Sequence, residues 1–239
     1  MIHTHLKPIS AGDGRAQLVI NDAMTSTHVP QLLDAEDFLD RLAARLLPAP
    51  ADLSALVSGP SDYDLNPSMR QPAHDGLIPA AVLVPILARR PLAVLLTERT
   101  AHLSAHAGQI AFPGGKIDPE DDGPCAAALR EAHEEIGLEP RFVTPLGYLE
   151  PYRTGTGFII TPVVARVDPG YALKPDPAEV EDVFDVPLAF LMDDANHKID
   201  SREWKGGARQ FYAMPYEQRY IWGATAGIIK ALHRRLLTA

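Results

Sequence analysis

The sequence predicts a layered fold that mixes helix and sheet, an α/β (α+β) domain rather than a bundle or a solenoid. Two observations carry that prediction. Apolar runs of strand length crowd the middle of the chain, and stretches with a helical apolar stripe interrupt and close it. No internal repeat or low-complexity tract competes with them.

In chain order, residues 1–34 are weakly patterned and form an N-terminal extension of unassigned role. AEDFLDRLAARLL, Ala35–Leu47, sets Phe38, Leu39, Leu42, Leu46 and Leu47 at helical spacing, and Pro48 and Pro50 stop it. A stretch rich in Pro, Ser, Asp and Gly follows. Residues 35–75 thus read as a helix and linker packing on the core, and 76–239 as the main domain. AAVLVPIL (Ala80–Leu87) and LAVLLT (Leu92–Thr97) read as buried strands joined by a turn. FVTPLGYLE, GFIITPVVARV and VEDVFDV read as further strands, and PLAFLM as a short helical piece. ARQFYAMPY and RYIW are the last strands, before GATAGIIKALHRRLL (Gly223–Leu237) closes the chain as an amphipathic helix. Basic residues sit in its last turn, where the helix dipole favours them.

Composition narrows the function. A content of 46% hydrophobic and 22% charged residues supports a sizeable core. The single cysteine excludes an internal disulfide and a Cys-rich zinc site, and points to a reducing, cytoplasmic location. No apolar run approaches the roughly 18 residues of a membrane span. The net charge of −9, without any Lys/Arg run, argues against nucleic acid as a partner. An acidic chain that acts on an anionic substrate needs a local cation.

The stretch GGKIDPEDDGPCAAALREAHEEIGL, Gly114–Leu138, carries the chemistry. Asp122 or Gly123 caps a helix with Pro124 in its first turn, and Gly137 ends it in a left-handed cap. Cys125, Leu129, Ala132 and Ile136 share a core-facing stripe, which makes Cys125 a packing residue. Glu131, Glu134 and Glu135 fall on the opposite side at i, i+3 and i+4, where like charges repel. Converging carboxylates raise one another's pKa unless a cation is present, and hard oxygen ligands suit Mg²⁺ or Mn²⁺. The competing reading of such a run is a solvated acidic face.

The surrounding residues decide between these. Gly115, Arg130, Glu131, Glu134, Glu135, Gly137 and Leu138 take the positions of the Nudix box, and the stretch resembles that family. Two departures stand out. The interval from Gly115 to Arg130 is one residue longer than the pattern, and Asp121 or Asp122 replaces the loop glutamate. LLTERTAHLSAHAGQIAFPGGKID, Leu95–Asp118, is similar to the signature before the box in the coenzyme A pyrophosphatase branch. Thr97, Arg99, Leu103, His106, Gly108 and Phe112–Gly115 match it, while Ser104 stands where the branch has arginine.

The resemblance implies a Nudix-type α/β/α sandwich with a mixed central sheet, and a metal-dependent hydrolase of nucleoside diphosphate derivatives. It implies Glu131 and Glu135 as metal ligands, with Glu134 either a third ligand or the base that orients water. Arg130 holds a glutamate, and Glu179, just before a strand, is a second candidate base. Arg99, Gln109 and Lys116 are candidate substrate contacts; an internal ion pair competes for Arg99, and a loop cap for Lys116. His106 reads as a packing histidine. The implied cofactor is Mg²⁺ or Mn²⁺, and the implied substrate is coenzyme A or a derivative. ADP-ribose or another nucleoside diphosphate derivative is the alternative, and a non-catalytic nucleotide sensor the alternative of another class. A homodimer is left open.

Overall fold

The computed structural model describes residues 35–53, 59–69, 76–101, 108–204 and 207–237. The N-terminal extension, Leu103, Ser104 and His106 lie outside the described residues.

Two ten-residue strands, β1 (Ile78–Leu87) and β7 (Phe158–Val167), run parallel through the centre of an eight-stranded mixed sheet. Around them lie β2 (Ala93–Arg99), β3 (Ile110–Ala111), β4 (Gly114–Lys116), β5 (Val143–Tyr148), β6 (Tyr152–Arg153) and β8 (Val180–Pro187). The path runs β3-β2-β1-β7-β5, with β4 on β1, β6 on β7 and β8 on β2. A second, antiparallel sheet orders β9 (Lys198–Trp204), β10 (Gly207–Tyr216) and β11 (Arg219–Trp222) as β11-β10-β9.

Proline inside a central strand ordinarily argues against the assignment, because it removes a ladder donor. Both central prolines sit where their strand changes antiparallel partner. Pro85 lies between the β4 pairing, which ends at Val82, and the β2 pairing, which begins at Ile86. Pro162 lies between the β6 pairing at Ile160 and the β5 pairing at Val163. The missing N–H falls in the gap between two partners.

The period of two along the central strands splits the core. Ala81, Leu83, Val163 and Ala165 face α2 (Gly123–Ile136), which packs Ala127, Ala128, Ala132 and Ile136 on them. Val84, Ile86 and Val164 face the other way, toward α1 (Ala35–Ala43), α4 (Ala224–Leu237) and the second sheet. The short helix α3 (Leu188–Leu191) adds Leu188 and Leu191 to that side. The result is a mixed sheet between helical layers, as expected.

Three local expectations are corrected. The first helix stops at Ala43, because Leu47 pairs with Tyr148 through N–H···O bonds of 2.9 Å in both directions. The buried face of α2 is rotated from the expected stripe toward Ala127 and Ala128, leaving Cys125 and Leu129 at its edge. Asp122 makes no side-chain cap bond, whereas Gly137 does adopt the left-handed conformation, with φ of 68°. No helix among the described residues is long and apolar enough to cross a membrane.

Candidate active site

The glycine pair of β4 passes over β1 and under α2. A Cβ on Gly114 would lie 2.3 Å from the Ala81 carbonyl oxygen, and one on Gly115 would lie 2.4 Å from Glu131 Oε1. Only glycine allows this approach. It places a backbone N–H within reach of a helix carboxylate: Gly114 N–H donates to Glu135 Oε2 at 3.0 Å.

Glu135 does not face away from the core, as its spacing with Glu131 and Glu134 suggested. It is 4% exposed. Burial pushes its carboxyl up to about 7 against the pull of the Gly114 N–H and the Arg99 charge. Arg99 Nη1 lies 3.4 Å from Glu135 Oε1. Glu131, half-buried, is also raised by burial, with Arg130 opposing that shift. The charge of Glu179, at the entry to β8, adds to the upward push on both.

Arg130 fastens the loop to the helix. Its Nε and Nη2 donate to the two carboxylate oxygens of Asp121 at 3.0 and 2.9 Å. Nη1 donates to Glu131 at 3.0 Å and Glu134 at 2.9 Å, and Nη2 also reaches the Lys116 carbonyl at 3.2 Å. The guanidinium holds the Asp121 carboxyl below the ordinary range. The loop aspartate is thus the bidentate partner of the box arginine, a role its displaced position in sequence concealed.

A cavity of about 660 Å³ opens beside these groups. Glu131, Glu135, Glu179, Arg99, Gln109 and Lys116 all line it. Glu134 does not: its side chain is 57% exposed and bonded to Arg130. The second sheet contributes Arg202, Arg209, Phe211 and Trp222 to the same cavity. The Phe211 and Trp222 ring centres lie 5.1 Å apart with the planes tilted by 58°, and the Arg202 guanidinium lies 5.1 Å from the Trp222 ring centre. Asp62 holds Arg209 at 2.6 Å, the Tyr152 hydroxyl at 2.9 Å and the Gly155 N–H at 2.7 Å. Asp62, Arg202 and Arg209 went unnoticed in the sequence. They are single charges in polar segments, far from the box, with no motif to mark them.

Residues 77–205 match the NUDIX domain family. The chain belongs to the Nudix hydrolases. It is therefore a hydrolase acting on pyrophosphate bonds, in a family that generally uses divalent metal. It is 36% identical over 205 residues to an uncharacterized Nudix hydrolase NudL of Photorhabdus laumondii, covering 86% of this chain and 99% of that one. The NudL protein of Escherichia coli K12 is 43% identical over 154 residues, covering 64% and 80%. Among solved structures, a MutT/nudix family protein from Enterococcus faecalis aligns over 70% of this Nudix chain and 65% of its own, with 18% identity and a TM-score of 0.42.

The donor set fits a hard divalent ion. Glu131, Glu135 and Glu179 line the same cavity, and burial raises the pKa values of Glu131 and Glu135, a shift that a bound cation would oppose.

Proposed function

We propose that this Nudix hydrolase cleaves the diphosphate of coenzyme A or its derivatives, giving 3′,5′-ADP and 4′-phosphopantetheine or its acyl form. One observation carries the reading. The cavity joins a carboxylate cluster to an aromatic pair flanked by a second cation. Among the described residues neither Lys116 nor Arg202 has a carboxylate partner, so the cavity offers positive charge at two separate places. Coenzyme A carries phosphate at two separate places, the diphosphate and the ribose 3′-phosphate. The apolar lining of the same cavity, from Val82, Phe112, Phe158, Ile160 and Ile228, suits the pantetheine arm, which leaves the diphosphate on the side away from the ribose.

Glu131 and Glu135 would hold Mg²⁺ or Mn²⁺. Bound there, the ion supplies neutralisation of the diphosphate and of the charge that grows on the leaving oxygen. Lys116, Gln109 and Arg99 orient the diphosphate. Glu179, which lines the cavity from the entry to β8, would take the proton from the attacking water. Arg130 and Glu134 act as positioning residues: the arginine ties Glu131 to the Asp121 loop, and Glu134 steadies the arginine. Water adds across the P–O–P bridge; one phosphorus gains the hydroxyl, and the other leaves with the bridging oxygen.

Ser104 favours ADP-ribose as the second reading, because the coenzyme A branch carries arginine there. One experiment separates them. The purified protein is incubated with coenzyme A or ADP-ribose and Mg²⁺ or Mn²⁺, and the products are resolved chromatographically. Preferential release of 3′,5′-ADP supports the proposal; preferential turnover of ADP-ribose overturns it.

A further inference from the structure

Away from the cavity, three potential ligands meet between the loop after α3 and helix α4: Asp194, His197 and His233. None of them lines the catalytic cavity. We propose that they form a second metal site, for a transition ion of the zinc type, that clips this loop to α4.

The loop is rigidly built before any ion is considered. The Asp193 side chain accepts the Ala195 N–H at 2.9 Å, and the Asn196 amide donates to the Phe190 carbonyl at 2.9 Å. His197 N–H donates to the Asp194 carbonyl at 3.1 Å, which brings both side chains to one side of the turn. The Leu191 carbonyl lies 2.8 Å from His197 Nε2. A carbonyl only accepts, so Nε2 carries the hydrogen and Nδ1 is left with its lone pair toward Asp194. Imidazoles that bind metal are oriented in this way by a hydrogen bond at the far nitrogen.

His233 supplies the independent observation. Its side chain is 3% exposed, and neither ring nitrogen has a hydrogen-bond partner among the described residues. A buried imidazole left without partners is unfavourable. Its Nε2 lies 3.6 Å from Asp194 Oδ1, and His197 Nδ1 lies 3.6 Å from the same oxygen. Tetrahedral coordination with bonds of about 2.0–2.2 Å requires ligand separations of roughly 3.3–3.6 Å. Two edges of the triangle meet that requirement, and all three ligand atoms lie within 4.8 Å of one another. Burial holds both imidazoles below the ordinary histidine pKa, in the neutral form that ligates.

A cation already marks the spot. Lys230 Nζ donates to Asp194 Oδ1 at 2.8 Å and lies 3.2 Å from His197 Nδ1. The ammonium satisfies Asp194 and His197 but leaves His233 unpaired. A zinc-type ion would engage all three, with the flexible lysine stem turning out to solvent. Imidazole and carboxylate donors suit Zn²⁺ and Co²⁺ better than Mg²⁺.

The test uses the full chain carrying Glu131→Gln and Glu135→Gln, so that the catalytic carboxylates do not contribute. Metal-stripped protein is titrated with Zn²⁺ by calorimetry and with Co²⁺ by visible absorption, and thermal unfolding is followed in parallel. The expected result is one ion per chain, a cobalt spectrum of tetrahedral type and a raised Tm. Asp194→Asn, at an exposed position, should weaken Zn²⁺ by more than the roughly 10–100-fold that loss of an outer-shell partner costs. His197→Ala should do the same. Lys230→Met, which removes the competing cation, should tighten it by about tenfold, equivalent to about 1.4 kcal/mol. Absence of Zn²⁺ binding in both the parent and the Lys230→Met protein overturns the proposal, as does unchanged affinity in Asp194→Asn. Asp194→Asn in the otherwise unaltered chain should hydrolyse substrate at the parent rate, so the outcome does not depend on which substrate is correct.

Discussion

The N–H of Gly114 donates to Glu135 Oε2 at 3.0 Å, joining the strand before the acidic loop to the helix after it. The neighbouring glycine makes a different approach, with its missing Cβ opposite Glu131 Oε1 rather than backbone. The two glycines therefore predict different failures.

At Gly114 the obstacle is the Ala81 carbonyl, which belongs to the central strand and cannot yield. Gly114→Ala should destabilise the fold by about 1–3 kcal/mol or more. At Gly115 the obstacle is the end of a flexible side chain, which can swing aside. Gly115→Ala should keep its Tm within a few degrees but lose on the order of 100-fold in kcat, because Glu131 is displaced. Thermal melts and steady-state rates on both variants check the contrast.

The buried Glu135 makes metal-free stability depend on pH. Its carboxyl is raised from 4.5 to about 7 in the folded protein. Below 4.5 both states hold the proton. Between 4.5 and about 7 the unfolded chain ionises while the folded one does not, so stability falls as pH rises. The loss, complete above that window, is on the order of 3 kcal/mol. Denaturant melts in EDTA at about pH 5 and about pH 8 should show it. Glu135→Gln should flatten the difference, and saturating Mg²⁺ should reduce it.

Arg130 binds Asp121 through two parallel bonds while also holding Glu131 and Glu134. Lysine cannot reproduce that fork. Arg130→Lys should lower kcat by about 10–100-fold with little change in KM, and Asp121→Asn should fall in the same direction. A rise in KM alone, with kcat unchanged, would contradict a positioning role. Steady-state kinetics at saturating Mg²⁺ decide it.

Arg202 lies over Trp222 in the cavity, without a carboxylate partner among the described residues. If it meets the ribose 3′-phosphate, Arg202→Ala should raise KM for coenzyme A by about tenfold, one charged contact of about 1.4 kcal/mol. The same variant should leave 3′-dephospho-coenzyme A almost unchanged. Equal losses on both substrates would remove the 3′-phosphate from its role.

Local features survive translation into structure because they depend on neighbours in the chain. The strands β1, β2, β7, β8 and β10, the acidic helix and its Gly137 cap were all legible, since a period of two or of 3.6 shows in any short window. The strand β9 was not. Its KIDSREW text is polar, and its one aliphatic residue, Ile199, is 57% exposed, so no apolar alternation marks it. It is held by pairing with β10 instead. The fragments β3, β4 and β6 are two or three residues long, too short to carry a period.

The same division runs through the site. The spacing of Glu131, Glu134 and Glu135 alone fits a solvated acidic face equally well; the resemblance of Gly115 and Arg130–Leu138 to the Nudix box is what implied a hydrolase and a divalent metal from the linear text. Their separation into two cavity carboxylates and one outward-facing partner of Arg130 was not readable there. It depends on how far α2 is turned about its axis, and that angle is set by Ala127 and Ala128 packing on a sheet assembled from distant strands. Asp62 and Arg209 meet across 147 positions, and Asp194 meets His233 only where α4 returns beside the loop. Chemistry encoded within one helical turn is visible in sequence. Charge partners chosen by chain closure exist only once the layers have packed.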